Sequence, residues 1–268
     1  GFGGRAYTPA DAARDFKPVW QPLKRDYVEA GYPTLYTQST ARGRALDATS
    51  VRGWIAANVP GGLASPLGQL LDVAYAIEYG AETADQSALN LVYLLGAVGQ
   101  GNLRLFGPSN EKYKVRGGND LLVRGLAGGL AEGQVVRDAA LASIRRAGGG
   151  WALTFADGRT AAADRVVLAL PFSVLRDVDR AGAGFPAAKE RAIAELGMGA
   201  NAKLALQFTA RHWQALGNNG DTFSDRGYQA TWEATRAQAG AAGILVDYTG
   251  GATARAQSGR PAAALAAE

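Results

Sequence analysis

The sequence predicts a mixed α/β fold, and three observations carry that expectation. Through residue 112 the apolar positions repeat with a helical period. Between residues 135 and 163 short apolar runs are separated by glycine turns, as in a hairpin meander. From Asn201 to Phe208 apolar and polar side chains alternate, the pattern of a half-buried strand. Together they divide the chain into a mainly helical stretch at 1–112, a strand-rich block at 113–178 and a sheet-bearing stretch at 179–268.

The helical stretch opens at Thr8-Pro9-Ala10-Asp11. A capping threonine, proline at the first helical position and an acid in the first turn start a helix there. Pro66–Tyr79 sets Leu67, Leu70, Leu71, Ala74 and Ile77 near the helical period, which gives a second helix. Thr83-Ala-Asp-Gln86 has the spacing of a capping box. The helix it would start carries Leu89, Val92, Tyr93 and Val98 on its apolar side. Gly61-Gly62 and the stretch from Gly99 to Pro108 supply the turns.

Past Tyr113 the texture changes. Gly117-Gly118 precedes a helical run from Asp120 to Leu130, whose Leu121, Leu122, Leu126 and Leu130 share a face. Val135–Val136, Leu141–Arg146 and Trp151–Ala156 read as short strands, turned at Gly148-Gly149-Gly150 and Asp157-Gly158. Arg165–Leu170 is apolar at nearly every position, which suits a strand buried on both faces of a parallel sheet. Pro171 ends it, because proline cannot donate to a ladder. A helix from Pro186 to Leu196 follows, with Gly197 as its C-terminal cap. Strands are expected at Asn201–Phe208 and Ile244–Tyr248, and the alanine-rich Ala252–Glu268 fits a helix or a frayed tail.

Composition removes several function classes. With 268 residues and 47% hydrophobic content, the chain can bury a sizeable core. No stretch approaches the roughly 20 apolar residues that span a bilayer, and no signal peptide opens the sequence. The net charge of +4 is spread among acids such as Asp11, Asp15, Asp26 and Glu29. A nucleic-acid binder would gather its cations on one face, so nucleic acid is not an expected partner. His212 is the only histidine and there is no cysteine, which removes structural zinc and thiolate chemistry. No Gly-x-Ser-x-Gly elbow accompanies His212 for a serine triad.

Three segments remain as carriers of chemistry. They are Tyr113-Lys-Val-Arg-Gly-Gly-Asn-Asp-Leu-Leu122, Ala163-Asp-Arg-Val-Val-Leu-Ala-Leu-Pro-Phe172 and Met198-Gly-Ala-Asn-Ala-Lys-Leu-Ala-Leu-Gln-Phe208. By alternation alone Lys203 is the solvent-side residue of a half-buried strand, while Trp213 and Trp232 read as packing residues. In this order and at these spacings the three segments resemble the monoamine oxidase family of flavin amine oxidases.

That resemblance implies a fold and a site. The fold would be an interrupted FAD-binding domain of the glutathione-reductase type, with 113–178 as its middle block. A substrate domain of mixed sheet and helices would be built from 1–112 and 179–268. Gly117 and Gly118 match the paired glycines that start the second block of the FAD domain. In Val135-Val-Arg-Asp-Ala-Ala-Leu141-Ala-Ser-Ile144, Leu141 stands where the family's strand touches the adenine end of FAD through its backbone. Pro171 marks a second FAD-contacting turn. Lys203, in the Met-Gly-x-x-x-Lys pattern, would hold a water beside flavin N5, and Phe106 and Trp232 would line the substrate.

The implied reaction is hydride removal from the carbon bearing an amine to flavin N5, giving an imine and hydrogen peroxide. A small-molecule amine or amino acid would be the substrate. No Gly-x-Gly-x-x-Gly opens a helix in the sequence, although that turn lays an FAD pyrophosphate on a helix N-terminus. The expectation is therefore that companion chains supply the dinucleotide-binding and closing FAD blocks. The other reading kept open is a non-catalytic remnant of the same fold that binds an amine or a protein.

Overall fold

Helix caps set most of the element boundaries in the first part of the chain. The computed structural model describes residues 1–97, 99, 103–109 and 112–267. The expected position of Val98 on a helix face lies outside the described residues, as do parts of the Gly99–Pro108 turn. Contacts divide the chain into two units, Gly1–Ser109 with Gly199–Glu268, and Asn110–Met198.

The first unit begins with six helices: α1 (Pro9–Phe16), α2 (Trp20–Ala30), α3 (Ala41–Asp47), α4 (Val51–Asn58), α5 (Pro66–Tyr79) and α6 (Ala88–Leu95). At α1 the Thr8 hydroxyl accepts from the Asp11 amide while the Asp11 carboxylate accepts from the Thr8 amide, so the expected capping box forms. At α5 the Ser65 hydroxyl accepts from the Gly68 amide with Pro66 at the first helical position, and Gly80 closes the helix in the left-handed region at φ 67°. The other expected capping box does not form. Ser87, not Thr83, caps α6. The Thr83 hydroxyl instead donates to Asp72, and the Gln86 amide donates to the Tyr75 and Ala81 carbonyls.

Phe16, Leu23, Trp54, Ile55, Leu71, Tyr75 and Leu91 fill the core these helices share. One carboxylate is buried with them. Asp26 accepts from the Trp54 indole at 2.8 Å and from Arg42 at 2.6 Å, and it ties α2 to α3 and α4.

The second unit contains α7 (Asp120–Gly128), the antiparallel meander β1 (Leu141–Ala147), β2 (Gly150–Phe155) and β3 (Thr160–Ala163), then α8 (Phe172–Leu175) and α9 (Ala187–Glu195). Its small core is Ile144, Leu175, Val178, Ala183 and Ile193. Three sequence expectations change here. Val135–Val136 forms no strand and is exposed. Leu196 rather than Gly197 caps α9, with extended backbone.

The third change is larger: Arg165–Leu170 is not a strand and makes no backbone hydrogen bond among the described residues. A doubly buried strand needs neighbours on both edges, and the free edge of β1 is met by Asp179, through the Ile144 amide and the Ala142 carbonyl, rather than by Arg165–Leu170. Val167 consequently stands 91% exposed. The unit also leaves Leu121, Leu122, Val123 and Leu126 of α7 exposed.

The chain then returns to the first unit with β4 (Asn201–Phe208), α10 (His212–Ala215), β5 (Thr222–Phe223), β6 (Ala230–Glu233), β7 (Gly243–Gly250), α11 (Gly251–Gln257) and α12 (Ala262–Leu265). The four strands form one sheet in the order β4-β7-β6-β5, antiparallel throughout.

Candidate functional site

Strand register decides which side chains meet on this sheet. Residues directly opposite one another share a face, and successive residues along a strand alternate between faces. Lys203 pairs with Tyr248, Tyr248 with Ala230, and Ala230 with Phe223, so these four form one row across all four strands. Ala205, Val246 and Trp232 form the next row on the same face. The other face carries Ala202, Leu204, Leu206 and Phe208, each half-buried, whereas Lys203 is exposed as the alternation predicts.

The Lys203 ammonium lies 5.1 Å from the Tyr248 ring centroid and 5.5 Å from that of Trp232. The two rings meet edge to face at 5.4 Å, with planes at 76°. Both distances fall within the range of a cation–π contact. Lys203 has no ion pair or hydrogen bond among the described residues, so its three N–H donors are directed by ring contacts alone. Burial, and then the nearby Glu78 charge, hold the Tyr248 hydroxyl above its ordinary pKa, which keeps it a neutral donor.

One end of the face is closed by the last turn of α5. A Cβ on Gly250 would come within 2.3 Å of the Ala76 carbonyl oxygen, and one on Gly199 within 2.1 Å of the Tyr79 carbonyl oxygen. Glycine at both positions lets helix backbone rest directly on the strands. Asn201 fixes the contact by donating to the Ile77 carbonyl at 2.7 Å, and the Ala200 amide donates to the Gly80 carbonyl at 2.8 Å. The far side of the row reaches Phe106, whose ring lies 6.2 Å from that of Phe223. The structure thus places Lys203 beside Trp232 and connects Phe106 to the same row.

The opposite face anchors the sheet. Glu233 is buried and accepts from the Trp213 indole at 2.9 Å, the Thr235 hydroxyl at 3.1 Å and Gln214 at 3.3 Å, with the Arg211 guanidinium at 2.8 Å. These donors, the Trp213 indole first, hold its pKa below the ordinary glutamate value. Trp213 also packs edge to face on Phe208 at 5.6 Å, so it is a packing residue.

Four expected residues lie in the second unit, on three different elements. Gly117 and Gly118 form the exposed turn ahead of α7, at φ 92° and 114°. Leu141 is the half-buried first residue of β1, opposite Phe155 at a register shift. Pro171 precedes α8, and its carbonyl accepts from the Val174 and Leu175 amides. A separate cleft of about 410 Å³ in the first unit is lined by Tyr27, Tyr32, Tyr79, Asn90 and Tyr93.

Sequence reasoning missed Tyr248. Tyr248 lay in an expected strand, but its pairing with Lys203 depends on register between positions 45 apart in the chain, which no local pattern encodes.

A family model described as flavin containing amine oxidoreductase matches residues 9–268. The chain belongs to this family. Solved structures with the same fold include wild-type putrescine oxidase bound to putrescine, at a TM-score of 0.76 and 17% identity. The alignment covers 98% of this chain and 57% of that one. Cyclohexylamine oxidase from Brevibacterium oxydans aligns at a TM-score of 0.74 and 15% identity, over 99% of this chain and 56% of that one. At such identities the likeness shows the fold of a flavin amine oxidase, and this chain spans a little over half the length of either structure. No curated protein sequence matches it. FAD is the cofactor that membership of the family brings.

Proposed function

We propose that this chain is part of an FAD-dependent amine oxidase acting on the C–N bond of a small amine. The observation that carries the reading is the exposed Lys203 ammonium, set against the rings of Trp232 and Tyr248. On this reading Lys203 holds a water next to the reacting centre and moves a proton to or from it, while Trp232 and Phe106 exclude bulk water from the substrate.

The residues present fit a flavin. Gly117 and Gly118 hold left-handed backbone, and their uncovered turn lets a bulky group approach closely. Leu141 would contact the cofactor through backbone atoms, and Pro171 through the turn it begins. A bound FAD would supply the redox chemistry, a two-electron oxidation of the amine-bearing carbon to an imine with oxygen as the final acceptor and hydrogen peroxide as the second product. The imine left behind hydrolyses in water.

We further propose that additional chain segments complete the FAD site. The unpaired Arg165–Leu170 stretch and the exposed α7 leucines support this, since apolar edges of that kind favour pairing. The experiment is anaerobic addition of amines to the complete, FAD-loaded oxidase. Bleaching of the visible flavin band, followed by peroxide on admitting oxygen, is expected. A flavin band unmoved by every amine tested would contradict the proposal.

A further inference from the structure

A cationic cleft lies where residues 1–6 meet the turn between β5 and β6. Phe2 and Arg5 exchange both backbone hydrogen bonds at 3.0 Å across Gly3-Gly4. With φ of 57° and 74°, these glycines supply the two left-handed positions of a tight hairpin turn. Two bonds hold the hairpin on the sheet. The Gly1 nitrogen donates to the Phe223 carbonyl at 2.7 Å, and the Gly3 amide donates to the Asp225 carboxylate at 2.7 Å. The β5–β6 turn is fixed in its own right: the Ser224 hydroxyl accepts from the Arg226 amide at 3.1 Å, and the Ser224 amide donates to the Gln229 carbonyl at 2.9 Å.

Between the two turns is a cleft of about 220 Å³, lined by Gly4, Arg5, Ala6, Ser224, Arg226 and Tyr228. Arg5 and Arg226 are exposed, and neither guanidinium has an ion pair or hydrogen bond among the described residues. Asp225 gives a carboxylate oxygen to the Gly3 amide and pairs with neither arginine. Two always-charged groups thus converge on one cleft from two anchored turns with no internal counter-ion.

We propose that this cleft binds a small phosphate-bearing anion, either inorganic phosphate or the terminal group of a phosphate monoester. A guanidinium is a planar fork that grips two oxygens of one anion. One fork satisfies the two oxygens of a carboxylate, whereas a tetrahedral phosphate has oxygens left for a second fork arriving from the other turn. Tyr228, on the same wall, carries a further hydroxyl donor. The volume equals several waters at roughly 30 Å³ each, which admits a phosphate and a short attached group. Arg5 stands ahead of the residues that the family model matches, 9–268, so family membership does not supply this site.

The test is isothermal titration of the complete, FAD-loaded oxidase with inorganic phosphate, glycerol phosphate and acetate at constant ionic strength. Saturating FAD keeps phosphate out of the cofactor's own pyrophosphate site. One phosphate or phosphate ester per chain is expected, with Kd on the order of 1 mM and acetate about 10-fold weaker. Tighter binding of inorganic phosphate would name the free anion as ligand, and the reverse order would name the ester. Arg5→Gln and Arg226→Gln should each weaken binding on the order of 10- to 100-fold, the range given by loss of a charge-assisted hydrogen bond. Arg5→Lys and Arg226→Lys should recover part of it, and Arg52→Gln, at an exposed arginine of α4, should change nothing. No saturation by about 10 mM, ten times the expected constant, would overturn the proposal. Acetate as tight as phosphate, or wild-type binding in both glutamine variants, would do the same.

Thermal denaturation gives a second readout. Phosphate should raise the wild-type midpoint and leave those of the two glutamine variants nearly unmoved, because only a folded, occupied site is stabilised by mass action. A rise of equal size in all three would be a general salt effect and would count against the site.

Discussion

Lys203 and Tyr248 are direct cross-strand neighbours, and the ammonium of one lies 5.1 Å from the ring centroid of the other. An antiparallel pairing thereby converts an ordinary solvent-side lysine into an oriented one. Trp232, on the third strand, completes the arrangement from the adjacent row at 5.5 Å. The lysine keeps its donors available because rings, not a carboxylate, hold it.

Replacing Trp232 with leucine should separate orientation from stability. An exposed cation–π contact is worth about 0.5–1 kcal/mol, so the denaturation midpoint should move only slightly. The rate of flavin reduction or reoxidation should fall in the complete oxidase, because Lys203 loses one of its two guides. A midpoint change with both half-reaction rates preserved would assign Trp232 to packing alone.

Gly250→Ala should be costly although its backbone is extended rather than left-handed. The new methyl would lie 2.3 Å from the Ala76 carbonyl oxygen and 2.7 Å from the Ile77 Cα, and neither can move without displacing α5. Overpacking of this type costs about 1–3 kcal/mol, to be read from urea denaturation. Wild-type stability in the variant would show that α5 does not bear on the sheet as described.

Two carboxylates on one face of the sheet should respond to acid with opposite signs. Glu233 has its pKa lowered by its donors, so its contribution is present above the unfolded glutamate pKa and is lost as pH falls through the folded value. Burial raises the pKa of Asp247, whose Oδ1 is buried without a hydrogen-bond partner among the described residues. Asp247 binds its proton more tightly folded than unfolded, so it penalises the fold above its folded pKa and not below the unfolded one. Asp247→Asn should therefore gain up to about 1 kcal/mol near neutral pH, and the gain should fade in acid. Glu233→Gln should lose stability at neutral pH and flatten the acid limb. Stability curves against pH that shift in the same direction for both variants would refute this assignment.

Local chemistry made much of the fold legible. The Thr8-Pro9 start, the Pro66–Tyr79 helix and the Asn201–Phe208 strand lie where the sequence places them, because caps and periodicity act within a few residues. Expectations failed where tertiary partners decide. Thr83 prefers Asp72 to a helix amide, so α6 starts at Ser87 instead. Arg165–Leu170 has strand composition but no strand beside it.

The candidate site was half legible for the same reason. Lys203 could be found from a local pattern and its alternation, whereas Tyr248 is brought to it by register.

The central claim is that Lys203 acts in the redox cycle, and Lys203→Met in the complete FAD-loaded oxidase tests it most directly. Methionine removes the charge and the water anchor while keeping much of the side-chain volume. Stopped-flow measurement of amine-driven flavin reduction and of reoxidation by oxygen should show one half-reaction slowed by about 10²–10⁴-fold, the usual worth of positioned acid–base assistance, with FAD still bound. Unchanged rates in both half-reactions, with full flavin content, would contradict the account.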